Sequence, residues 1–126
     1  MQITRIFHSG FLVETAKRYF IFDYYKGELP KLNPDKPVYV FASHGHQDHY
    51  EPKVFELLKQ QGIVPKLAIL AKDIKEKKYP DGIPVLKAGF HAHYEIEADF
   101  LVDTFHSTDA GVAYLVTCGE GKIYHA

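Results

Sequence analysis

Val40-Phe41-Ala42-Ser43-His44-Gly45-His46-Gln47-Asp48-His49-Tyr50 packs three imidazoles and one carboxylate into six residues, directly after an apolar run. Val38 to Phe41 has the composition of a buried strand. Pro52 suits a first helical turn, and Val54, Phe55, Leu57 and Leu58 keep helical spacing until Gly62 stops it, which predicts a helix over 53–61. The cluster therefore lies on a loop framed by a strand and a helix. Gly45 permits backbone angles that other residues avoid, so 44 and 46 can be aimed at one point and 48 and 49 at a neighbouring one. That spacing suits two adjacent metal positions. Imidazole and carboxylate donors favour zinc and also accept iron, manganese or nickel, because affinity order alone does not select the metal. The competing reading is a surface loop rich in histidine by chance, and the strand-loop-helix context argues against it.

Outward from the loop, short runs rich in β-branched and aromatic residues over 3–7, 11–14 and 19–22 predict an opening β-meander. Three prolines, Gly27 and Asn33 predict an irregular loop over 26–37. Residues 67–70 read as another buried strand, and 73–78 as a short helix closed by Pro80-Asp81-Gly82. From Val85 onward the pattern is β again, over 85–87, 94–97, 100–105, 112–117 and 122–125. The fold class is α+β. Neither a repeat nor an interdomain linker divides the 126 residues, so one domain is expected.

Fifteen basic against sixteen acidic residues leave a net charge of −1, which disfavours nucleic acid or an acidic membrane surface as partner. Cys118 is the only cysteine, so no intrachain disulfide forms, and that usage suits the cytoplasm. Residues 1–25 carry Glu14, Lys17, Arg18 and Asp23 among alternating apolar positions, matching neither a secretory signal nor a membrane span.

His-x-His-x-Asp-His after an apolar strand resembles the signature of the metallo-β-lactamase superfamily, and the resemblance extends along most of the chain. Residues 3–14, Ile-Thr-Arg-Ile-Phe-His-Ser-Gly-Phe-Leu-Val-Glu, look like the first hairpin of the branch that holds ascorbate-phosphate lactonases and related phosphodiesterases. Tyr19-Phe20-Ile21-Phe22-Asp23 resembles the family strand whose terminal aspartate braces the metal loop, which would make Asp23 a hydrogen-bonding support for the ligands. Phe105-His106-Ser107-Thr108-Asp109-Ala110-Gly111-Val112 resembles the segment supplying the third histidine of the first metal, so His106 is expected to join His44 and His46. Asp48 and His49 belong to the second position.

The resemblance implies an αββα sandwich truncated after roughly its first half. The chain stops at Tyr124-His125-Ala126 inside an expected strand. The bridging Gly-Asp and last histidine that the family places beyond it are not in the sequence. Loss of the covering half is expected to expose apolar surface and drive self-association. The implied activity is metal-assisted hydrolysis of a small ester, lactone or phosphodiester, in which a bound water loses its proton and Asp48 orients or deprotonates it. The alternatives are a catalytically silent metal-binding module and a mononuclear iron oxidoreductase of the same fold. Diiron members carry glutamate where this chain has His46, which argues against them.

Other groups carry weaker signals. His8 sits at the first hairpin turn, which in the family approaches the rim of the site. His91-Ala92-His93 lacks a carboxylate partner and reads as a hairpin turn. Lys72, Lys75, Lys77 and Lys78 alternate with Asp73 and Glu76 and read as a solvated face.

Overall fold

The computed structural model describes residues 1–107 and 111–126. Among the described residues, ten strands form two sheets. The first contains, in spatial order, β1 (Gln2–Phe7), β2 (Gly10–Glu14), β3 (Tyr19–Phe22), β4 (Val38–Ala42), β5 (Leu67–Ala71) and β6 (Val85–Ala88). The second is an antiparallel meander of β7 (His93–Glu97), β8 (Phe100–His106), β9 (Val112–Cys118) and β10 (Gly121–His125). β1, β2 and β3 pair antiparallel, while β3 to β6 run parallel. Parallel neighbours need crossover connections. The crossover from β4 to β5 is α1 (Lys53–Gln60), entered at Pro52 as expected for a residue with no N–H to donate.

Side-chain alternation separates the faces of the first sheet. Leu12, Tyr19, Ile21, Val38 and Val40 pack on one face with Val54 and Leu58 of α1. Their neighbours Val13, Phe20, Phe22, Tyr39 and Phe41 point the other way and meet Phe100, Val102, Tyr114 and Val116 of the second sheet. Phe20 and Tyr39 place their ring centroids 5.1 and 4.8 Å from Phe100, and Phe41 lies 5.3 Å from Tyr114. Such aromatic pairs add roughly 0.5–1.5 kcal/mol each beyond the area they bury. The layers are helix, sheet, sheet. Every residue of β4 is buried, as a central parallel strand covered on both faces must be.

At the end where β3 begins, Arg18 fastens the sheets together. One guanidinium nitrogen lies 2.5 Å from Glu97 Oε1 and 2.6 Å from Asp99 Oδ1, with the cation 5.1 Å above the Phe100 ring. β3 and β4 are parallel, so the loop after β4 lies at the opposite end.

The stretch 73–78 is not a helix of the expected length. Only Glu76–Lys78 coil, as a 3₁₀ turn, because Lys75 and Tyr79 are extended, Tyr79 being restricted by Pro80 after it. Among the described residues no helix is long and apolar enough to cross a membrane.

Candidate metal centre

The site forms at the C-terminal ends of β3 and β4. Phe22 pairs with Phe41, and the Asp23 N–H donates to Phe41 O at 2.9 Å, carrying the register one residue beyond the strand. Asp23 then turns out of the sheet with φ +49°, a left-handed conformation that aspartate tolerates better than most residues. That turn aims its carboxylate under the histidine loop. Ser43 N–H donates to Oδ1 at 2.7 Å and Ser43 Oγ to Oδ2 at 2.5 Å. His49 Nδ1 lies 2.9 Å from Oδ2, and His125 Nε2, from the last strand, lies 3.0 Å from the same oxygen. Asp23 is 1% exposed. Burial alone would raise its carboxyl, but the hydrogen bonds from His125, His49 and Ser43 outweigh burial and bring it down to about 2.

Above this base the loop curls tightly, with the N–H groups of His49 and Tyr50 both donating to His46 O at 2.9 Å. Asp23, His44 and His49 each present a ligand atom, and the three atoms all lie within 4.8 Å of one another. The His44 ring lies 4.2 Å from that of His49 and 5.8 Å from that of His46. Asp48 Oδ2 is 3.6 Å from His49 Nε2 and 3.4 Å from His8 Nε2. His44 is buried, whereas His46 faces solvent and Asp48 is partly exposed.

Gly45 does not occupy the left-handed region. Its small size serves close approach instead, since a Cβ there would lie 3.3 Å from Asp73 O and Oδ2, and its N–H donates to Asp73 Oδ2 at 3.0 Å.

The second sheet closes the other side. Val112 N–H donates to Ser43 O at 2.8 Å, and the buried Tyr114 hydroxyl donates to Ala42 O at 2.9 Å. Gly111 passes so near His44 that a Cβ would stand 2.3 Å from its Cε1. His106 pairs with Val112, and alternation along β8 puts it on the face of Val102 and Thr104, which looks between the sheets. It lies outside the three-residue group. Its ring is exposed and stands 4.4 Å from the Phe90 ring, with Nδ1 2.8 Å from Ser107 O. Thr108, Asp109 and Ala110 of the same matched stretch lie outside the described residues.

Two participants are not among the residues singled out from the sequence. His125 had a signal: in β10 it alternates with Lys122 and Tyr124 on the inward side with Ile123, an unusual place for an imidazole. Ser43 carried none beyond its place in the loop. His93 stands apart, with Nδ1 2.6 Å from Asp103 Oδ1 across the β7–β8 pair.

Among solved structures the chain is similar to that of Igni18, described as a novel metallo hydrolase from the hyperthermophilic archaeon Ignicoccus hospitalis. The TM-score is 0.64 at 17% identity. The chain shares that protein's fold over the matched residues. Its helix and two facing sheets are consistent with an αββα sandwich, of which the described residues supply the first helical layer and the two sheets. The match covers 98% of this chain but 59% of the other, so the chain spans little more than half of that protein's length. No protein-family model and no curated protein matches the sequence.

Proposed function

We propose that the chain binds a divalent metal ion, with zinc favoured, and belongs to a hydrolase that cleaves a small ester, lactone or phosphodiester. The observation that carries this reading is the convergence of Asp23, His44 and His49 within 4.8 Å at the strand ends. Donors sharing one ion at roughly 2.0–2.2 Å stand up to about 4 Å apart, so His44 and His49 are gathered at close to the separation that two ligands of one ion need. Two imidazoles and a carboxylate suit zinc chemically. Asp23 already receives several donors, which favours it as the brace and His44 and His49 as ligands, with His46, Asp48 and His106 completing the coordination.

A bound divalent ion would supply acidified water and polarise the substrate oxygen. The chain's own residues do the rest. Ionised Asp23 fixes the proton of His49 on Nδ1, which leaves Nε2 on the side of Asp48. Asp48 sits at the solvent edge of the group, where its carboxylate can orient a water and take its proton. His8, held over the loop by Ser9 Oγ donating to Asp48 O at 2.8 Å, borders the approach to that carboxylate.

The test is a screen of metal-loaded protein against chromogenic esters, lactones and phosphodiesters beside Asp48→Asn. The expected result is metal-dependent turnover that falls about 10²- to 10⁴-fold in the variant. Equal turnover in both proteins would remove Asp48 from the reaction, and turnover indifferent to metal would overturn the reading.

A further inference from the structure

The segment after β5 folds back against the metal loop, tied there by the Gly45 N–H donating to Asp73 Oδ2. Between them opens a cleft of about 240 Å³, walled by Gly45 and His46 on one side and by Ile74, Lys75, Lys77 and Lys78 on the other. That is space for about eight waters, or for one small charged group with part of its hydration. Three lysines line this cleft, with Asp73 the one acidic residue among the lining. Lys72, outside this lining, places its Nζ 4.3 Å above the Phe90 ring, which also packs against His106. The chain as a whole is nearly neutral at −1, so this excess of positive charge is local and lies beside His46. A concave surface of one sign concentrates ions of the other.

We propose that this cleft is an anion subsite, binding a carboxylate or phosphate group carried by the molecule whose scissile bond sits at the metal centre. As a statement about substrate it rests on the hydrolase reading; as a statement about binding it does not. Flexible ammonium groups act as point charges that suit a multi-oxygen anion. The short 3₁₀ turn at Glu76–Lys78 brings successive lysines round to the cleft, whereas the Glu76 carboxylate between them is not part of its lining.

The test is titration of inorganic phosphate, and separately of acetate, into the metal-free chain in low salt, following backbone amide resonances. Saturable shifts at Gly45, Ile74 and Lys75 are expected, weakened about tenfold in Lys75→Ala/Lys77→Ala/Lys78→Ala and restored in the corresponding triple arginine variant. Which anion binds more tightly identifies the group. No saturable shift with either anion, or shifts indifferent to the triple alanine change, would overturn the proposal. Zinc titration of the same samples separates the two readings. Lysine-dependent anion binding without zinc binding would sink the hydrolase and spare the cleft, and the reverse outcome would do the opposite.

Discussion

The carboxylate of Asp23 and the imidazole of His49 meet at 2.9 Å beneath the histidine loop, and that contact sets which nitrogen of His49 faces the site. An ionised carboxylate only accepts, so His49 Nδ1 must carry the hydrogen. Asp23→Asn keeps the shape but removes the charge. Zinc affinity is expected to fall about 10- to 100-fold, the usual cost of losing a carboxylate behind a metal-binding histidine. Competition against a chromogenic chelator checks this, and an unchanged affinity would show that Asp23 does not support the ligands.

Gly111, immediately before β9, lies close against His44. In Gly111→Ala the new methyl would stand 2.4 Å from His44 Nε2 and 2.5 Å from Ser43 O, so the ring or the strand must move. Overpacking of this kind costs about 1–3 kcal/mol. Denaturant unfolding should show that loss, together with weaker zinc binding because the displaced residue is His44. Wild-type stability and affinity would mean that β9 does not pass against His44 as described.

The opposite end of the sandwich gives a pH dependence. Lys66 and Arg18 hydrogen-bond Glu97 and hold its carboxyl at about 2, against an ordinary value of 4.5. The folded value is the lower one. This interaction therefore contributes fully above about pH 4.5 and is lost as pH falls toward 2. Unfolding midpoints measured across that window should drop less steeply in Glu97→Gln than in the wild type. Parallel curves would mean that Glu97 is not engaged as the structure shows.

Much of this was legible from residues in sequence order. Alternation and β-branched runs located the strands, and the Pro52-to-Gly62 pattern located the helix, because both signals are local. The expected helix at 73–78 failed because Asp73 is recruited by Gly45 and Pro80 holds Tyr79 extended, the first a tertiary effect that periodicity does not contain. The histidine loop was visible as a cluster, and Asp23 beneath it was expected through the resemblance alone, while the parts played by Ser43 and His125 were not. Asp23 reaches Ser43 across 20 positions and His49 across 26, and His125 arrives from a different sheet. The parallel pairing of β3 with β4 brings the first of these contacts about, and the stacking of the two sheets brings the last.

A zinc titration by calorimetry, on the wild type and on His44→Ala and His49→Ala, tests the metal centre most directly. One tight site is expected in the wild type, weakened by each substitution at least about 100-fold, more than by loss of the Asp23 charge, because a proposed ligand and not its support is removed. Absence of saturable binding in the wild type, or equal affinity in the two variants and the wild type, would contradict it.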